Sequence, residues 1–354
     1  MSDRAHLTFA LALHDTLAAD RRANACWSPY SVASALGLAA QAAAGKTRAE
    51  LVSLLGEDNA DLLRAAVITD DAEFAVANTL WAWDELPVNP DFVADLAGWP
   101  GGNVRTAPFA EDPEHARKLI NADVAETTRD LIHELLPPGS VRADTVATIV
   151  NALYLKTAWL GVFPAADTGP RPFHAPDGTV DVPTMRRDAK FRYAARDGWQ
   201  AVALPARGGV EAVVLLPDGE LADLPVDRLG GVLEALDFTQ VELFLPKLDV
   251  TVTSPLKDAL VRLGVRQLFT YDADLTGLSP DPRLFVDEVL HEAVLRLDEQ
   301  GLEGAAATAI TFRMTSIEMP AEPITVRVDR PYLLLVRHAS SGAVYFLAQV
   351  VDPS

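Results

Sequence analysis

Residues 298 to 313, Asp-Glu-Gln-Gly-Leu-Glu-Gly-Ala-Ala-Ala-Thr-Ala-Ile-Thr-Phe-Arg, alternate like a strand yet carry too little to anchor one. From Leu302 in steps of two, one face holds Leu302, Gly304, Ala306, Thr308, Ile310 and Phe312. The other holds Glu303, Ala305, Ala307, Ala309, Thr311 and Arg313. That is the period of a half-buried strand. The middle of the run is almost all Ala with a Gly, small side chains of poor β-propensity and little hydrophobic grip. Such a segment slides between two existing strands without steric conflict, and holds there only weakly until both its edges are hydrogen-bonded. It lies late in the chain, between two segments that read as strands.

The run resembles the hinge and proximal reactive-centre loop of the serpins, the serine protease inhibitor superfamily, where Glu-Glu-Gly-Thr-Glu-Ala-Ala-Ala-Ala-Thr is typical. Here it reads Glu299-Gln300-Gly301-Leu302-Glu303-Gly304-Ala305-Ala306-Ala307-Thr308. Taken alone it also fits an Ala-rich surface loop or helix cap, but other segments point to the same family. The block from Asn24 to Leu36 resembles Asn-x-x-x-Ser-Pro-x-Ser-(Ile/Val). Ser28 reads there as an N-cap before Pro29, with Val32, Ala35, Leu36 and Ala39 following at helical spacing. Residues 72 to 83 read as a buried strand and resemble the family strand that carries Ala-Asn-x-Leu. Asn151 to Trp159 matches Asn-Ala-(Ile/Leu)-Tyr-Phe-Lys-Gly-x-Trp, with Thr157 at the turn where Gly is usual. Val182-Pro183-Thr184-Met185, Leu245-Pro246-Lys247-Leu248, Ala273 to Leu278, Val289 to Ala293, Val328 to Leu334 and the closing 342–350 follow in family order. The resemblance covers essentially the whole chain, and collinearity carries it more than any single match. It implies an α+β fold of about eight or nine helices around three β-sheets, a single serpin domain over 1–354, and an exposed reactive-centre loop at about 299–320.

Composition agrees. At 354 residues the chain can bury a large core, and no linker, low-complexity run or internal repeat divides it. A net charge of -20 favours solubility and argues against nucleic acid, heparin or anionic membranes as partners. The single cysteine, Cys26, excludes an intrachain disulfide and reads as a buried, inert thiol. The N-terminus lacks a basic region followed by an uninterrupted apolar core. Instead Leu7, Ala10, Leu11, His14 and Leu17 fall near helical spacing, as in an amphipathic first helix. No stretch is long and apolar enough to span a membrane. The expectation is a cytoplasmic protein, or a secreted one if a signal has been removed. Arg greatly outnumbers Lys and Ala is abundant, which suits a GC-rich coding sequence and a prokaryotic, thermopin-like member.

Enzymatic alternatives find little support. There is no Gly-x-Ser-x-Gly elbow and no His-x-x-x-His or His-Glu-x-x-His array. Seven scattered histidines and one cysteine suggest no metal site, and no cofactor is implied. Gly45-Lys46-Thr47 ends like a phosphate-binding loop, but Ala40 stands where that motif needs Gly. Gly45 reads instead as the end of one helix and Thr47 as the cap of the next, with Glu50 completing a capping box.

The resemblance also implies a mechanism. A serine or cysteine protease attacks the loop as substrate and forms an acyl-enzyme; the cleaved loop then inserts as a central strand, dragging the protease along before deacylation. Counting seventeen positions from Glu299 puts the scissile bond at Thr315-Ser316; slips of one or two give Met314 or Arg313 as the residue before it. Thr suits elastase-like or subtilisin-like pockets, Met chymotrypsin-like or elastase-like ones, and Arg trypsin-like ones. Ser28, Ser31, Asn151 and His291 match the family's shutter beneath the central strands. Trp159, Lys247 and Glu299 match the breach where the loop first enters. Each of these residues also fits an ordinary satisfied core or rim group. Leu302 and Gly304 depart from the usual hinge, yet both are uncharged on the face to be buried, so insertion stays allowed. The implied partner is a target serine protease in a covalent acyl complex with a monomer, with loop-sheet polymers as a side path. A non-inhibitory carrier or chaperone-like protein of the same fold is the alternative, followed by an unrecognised enzyme.

Overall fold

Helical and extended segments alternate along the chain in the pattern of an α+β fold. The computed structural model describes residues 2–68, 70–96, 98–281, 284–286, 289–303 and 322–354. Among them are eight α-helices: α1 (Ser2–Leu17), α2 (Pro29–Ala42), α3 (Gly45–Leu55), α4 (Asn59–Ala65), α5 (Pro90–Leu96), α6 (Pro113–Thr127), α7 (Val226–Glu234) and α8 (Lys257–Arg262). The strands are β1 (Ala25–Trp27), β2 (Glu73–Trp83), β3 (Gly102–Ala107), β4 (Ala147–Ala158), β5 (Gly169–Ala175), β6 (Gly178–Arg196), β7 (Trp199–Pro205), β8 (Val210–Pro217), β9 (Asp237–Pro246), β10 (Leu248–Pro255), β11 (Leu290–Leu297), β12 (Gly301–Leu302), β13 (Ile324–Arg327), β14 (Tyr332–His338) and β15 (Val344–Val350).

One sheet has the order β10-β11-β12-β4-β2-β3; the other runs β1-β15-β14-β8-β7-β6-β9-β13, with β5 paired to β6. The long strand β6 pairs with β5 over residues 178–184, with β9 over 184–193 and with β7 over 192–196. It thereby fuses two of the three expected sheets into one hydrogen-bonded network. Strands β8 and β15 are buried along their whole length, covered on both faces. Strand β11 alternates instead, with His291, Ala293, Leu295 and Leu297 turned inward.

Helix α2 lies between the sheets, touching β4 on one side and β15 on the other. Every residue of it except Gln41 is buried, as befits a helix with no hydrophilic face. Its start follows the sequence reading: Ser28 Oγ accepts from the Ser31 amide at 3.1 Å and Pro29 opens the first turn. Helix α6 covers the opposite face of the six-stranded sheet. There Ile120 and Val124 join Trp81, Val150 and Ile132 in a separate apolar cluster that Leu290 and Val294 of β11 also touch.

The capping box expected at Thr47 does not form. Helix α3 begins at Gly45, where φ is +52°, so Thr47 lies inside the first turn. Its Oγ1 accepts from the Asp274 amide at 3.0 Å, and Glu50 Oε2 accepts from the amides of Arg266 and Gln267 at 2.7 and 2.8 Å. Tertiary partners outcompete the local cap for both side chains. Cys26 is buried in β1, and burial alone pushes its thiol up to about 12.

Candidate functional site

The six-stranded sheet is joined across its middle by two residues. In β12, Gly301 pairs with Ala158 and Leu302 with Thr157 of β4, while Leu302 also pairs with Leu297 of β11, all antiparallel. Leu302 is 1% exposed, so the start of the hinge, expected as part of an exposed loop, already sits in the sheet. The sequence makes this seat specific. A Cβ on Gly301 would stand 2.0 Å from the Thr157 carbonyl oxygen and 2.8 Å from Ala158 Cα, so only glycine fits.

The approach to that seat is tied down on both sides. Asp298 Oδ1 accepts from the amides of Gln300 and Gly301 at 2.8 and 3.2 Å. Trp159 donates its indole N–H to the Asp298 carbonyl at 2.9 Å and its amide to the Gln300 carbonyl at 2.9 Å. Lys247 Nζ meets Glu299 Oε2 at 2.9 Å. Burial pushes the Glu299 carboxyl up, but hydrogen bonding, that of Lys247 above all, outweighs it and holds the group below the usual carboxylate range. The three residues matched to the breach therefore meet at one point.

Strand β12 ends before Glu303, whose φ of +58° lies in the left-handed region that non-glycine residues rarely adopt. Its amide donates to the Arg296 carbonyl at 3.1 Å, and its carboxylate takes Arg296 Nη1 at 3.2 Å. Arg296 also pairs with Asp249 at 3.1 Å. Leu302 and Glu303 line a small cleft together with Leu153 and Leu155 of β4, Val294 and Leu295 of β11, and Thr128, Leu131 and Ile132 after α6.

The residues matched to the shutter divide into two linked groups at the start of α2. In the first, His291 Nε2 accepts from the Ser28 amide at 2.9 Å and Ser28 Oγ accepts from Ser31. His291 must be neutral to do so, and burial lowers its pKa to about 4. Asn151 does not join this group. It donates to Asn78 Oδ1, its cross-strand neighbour on β2, and Asn78 in turn donates to Ser34 Oγ at 3.0 Å and to the Pro100 carbonyl at 2.6 Å. Ser31 Oγ and Asn151 Oδ1 are buried with no hydrogen-bond partner among the described residues.

Asn78 and Ser34 were missed by reasoning from sequence. A signal for Ser34 existed, since Ser28, Ser31 and Ser34 recur every third residue along one face of α2. Thr157 needs correcting: it lies inside β4 rather than at a turn. It is buried, and its Oγ1 donates to the Arg207 carbonyl at 3.0 Å. The remaining hinge residues Gly304, Ala305, Ala306, Ala307 and Thr308, and the reactive-bond candidates Arg313, Met314, Thr315 and Ser316, lie outside the described residues.

The family profile described as serpin, serine protease inhibitor, matches residues 4–353. The chain belongs to the serpin family. Serpin-Z2A of Oryza sativa subsp. japonica is 31% identical, covering 98% of this serpin and 96% of its own length. The leukocyte elastase inhibitor of Bos taurus is 30% identical, covering 99% and 98%. Among solved structures, human thyroxine-binding globulin superposes with a TM-score of 0.88 over 100% of this chain and 98% of its own, at 23% identity, which is a likeness of fold.

Proposed function

We infer that this serpin inhibits serine proteases by offering its loop as substrate and then inserting the cleaved loop as a central strand. The observation that carries the reading is β12. Two hinge residues are seated between β4 and β11, and after Glu303, which falls on the opposite face from Leu302 by alternation, the residues Gly304 to Thr308 are small and uncharged. Continued insertion therefore extends a strand already begun, and each added residue gains hydrogen bonds on both edges. Strands β4 and β11 would have to part along the small cleft beside Leu302, and the two buried shutter oxygens without partners are groups that a rearranged sheet can satisfy. Ser28, Ser31, Asn151 and His291 would act as the shutter, and Trp159, Lys247 and Glu299 as the breach. The reactive bond is assigned to Thr315-Ser316, with Met314 and Arg313 as alternatives one and two residues earlier. A small Thr before the bond suits an elastase-like or subtilisin-like protease, and a relative named leukocyte elastase inhibitor supports that class.

A second reading, a carrier, draws on one observation. A cleft of about 660 Å³ lies between α1, α7 and β14, lined by Arg4, Leu7, Arg196, Leu335 and Arg337 among others. Thyroxine-binding globulin, of like fold, is known in complex with thyroxine. Incubation with chymotrypsin, elastase, subtilisin and trypsin, followed by denaturing electrophoresis and mass spectrometry of the released peptide, separates the two. An SDS-stable complex with a peptide beginning at Ser316 is the expected result. Clean cleavage by every protease with no complex would instead favour the carrier.

A further inference from the structure

The outer face of β6, β9 and β13 carries a cationic cluster with no part in loop insertion. Arg186, Phe244 and Arg327 are cross-strand neighbours in one row, and Arg171 of β5 reaches the same ring. The guanidinium carbons of Arg171, Arg327 and Arg186 lie 4.6, 5.0 and 5.9 Å from the centre of the Phe244 ring, within the range of cation–π attraction. Glu242 takes Arg186 at 2.7 Å and accepts from Thr325 Oγ1 at 3.3 Å. Asp188 in the next row accepts from Gln240. Among the described residues neither Arg171 nor Arg327 has a carboxylate within ion-pair distance, and Arg171 Nε is buried without an acceptor. Three like charges around one ring repel each other; Glu242 pairs directly with Arg186 alone and acts on Arg327 only at longer range, so the guanidinium forks of Arg171 and Arg327 are left for an outside carboxylate.

The cluster lies between the two ends of the reactive-centre segment. Lys247, three residues past Phe244, holds Glu299 where the hinge begins. Ile324, three residues before Arg327, opens the strand into which the segment returns. Three residues of strand span about 10 Å. Both described ends of that segment therefore lie close to this face.

We propose that Arg171, Arg186 and Arg327 form a docking site, separate from the reactive bond, for an acidic surface on the target protease. The site rests on the inhibitory reading above and adds selectivity to it. Guanidinium forks on a rigid sheet pair with surface carboxylates and raise the association rate for acidic proteases, against the repulsion exerted by the rest of the molecule.

The test compares one protease in two charge states. Whichever of chymotrypsin, elastase and subtilisin forms the SDS-stable complex is used native and after succinylation of its surface lysines, which makes it acidic and leaves its catalytic residues intact. Association rate constants and stoichiometries are measured at low and high salt for the wild-type serpin, for the double variant Arg171→Ala with Arg327→Ala, and for Arg327→Lys. With the succinylated enzyme at low salt, the double variant should react about tenfold more slowly than wild type. High salt should erase the difference, the native enzyme should change less than twofold, and Arg327→Lys should keep most of the rate. Equal rates for wild type and double variant, or an equal loss with both forms of the enzyme, would overturn the docking site. So would binding of dextran sulfate through the same arginines without any effect on rate. Failure of every protease to form a complex would remove the inhibitory reading itself, and the docking site with it.

Discussion

At Gly301 a single hydrogen atom decides whether the hinge enters the sheet. Any side chain there meets the Thr157 carbonyl and Ala158 Cα, so Gly301→Ala must push β12 out from between β4 and β11. Leu302, buried now, would leave with it. The expected cost is about 1–3 kcal/mol, the range for forcing a methyl into a packed site. A lower melting temperature together with faster proteolytic nicking around residues 301–303 is the result to look for. Unchanged melting and nicking would mean that β12 contributes nothing to the resting sheet. Thr157 belongs to the same site. At a position where the sequence pattern leads one to expect Gly, its hydroxyl bonds to Arg207 while its backbone bonds to the hinge.

Contacts between elements depend on histidines that must stay neutral. His291 ties β11 to the cap of α2 by accepting from Ser28, and His6 ties α1 to β15 by accepting from the Val344 amide at 3.1 Å. Burial lowers both to about 4, and burial with the Arg21 charge lowers His14 to about 3. In the unfolded chain each binds a proton near 6.5. As pH falls from about 6.5 to about 4, the unfolded state gains protons that the folded state refuses, so stability is lost, by up to about 3 kcal/mol per histidine. The melting temperature should fall steadily through that window, and His291→Gln, whose amide oxygen can still accept from Ser28, should reduce the slope by about a third. A flat profile would contradict the neutral, buried state of these rings. Much at this scale was legible in the sequence: the α2 cap, the amphipathic α1 and the strand at 73–83 follow from local spacing. The partners of Thr47, Glu50 and Asn151 were not, because each side chain chose a group distant in sequence over a local one. The entry of Leu302 was equally hidden, since alternation marks which residues can join a sheet but not how far they have joined it.

Over the whole molecule, the question is what cleavage can still release. Leu302 is buried before any cut, so its burial adds nothing to later insertion. The remaining gain must come from closing the ladder between β4 and β11 beyond β12, which among the described residues is bridged by Gly301 and Leu302 alone. A strand from Gly304 onward would bond to both neighbours at once, at about 0.5–1.5 kcal/mol per bond. From Gly304 to Ala309 its side chains are too small to hold it by burial, and only Ile310 and Phe312 further on add apolar grip. The gain therefore depends on the backbone, and a charge on the buried face should abolish it without disturbing the resting fold. A single cut between residues 313 and 316 should raise the melting temperature of the wild-type protein by about 20 °C or more. Ala306→Glu, which would carry an unpaired carboxylate into the sheet, should be cut at the same bond and melt where the uncut protein melts. Circular dichroism melts before and after a cut verified by mass spectrometry decide the matter. If cut wild type gains no heat resistance, the loop does not insert. If Ala306→Glu gains as much as wild type, the strand enters in another register, with position 306 facing solvent.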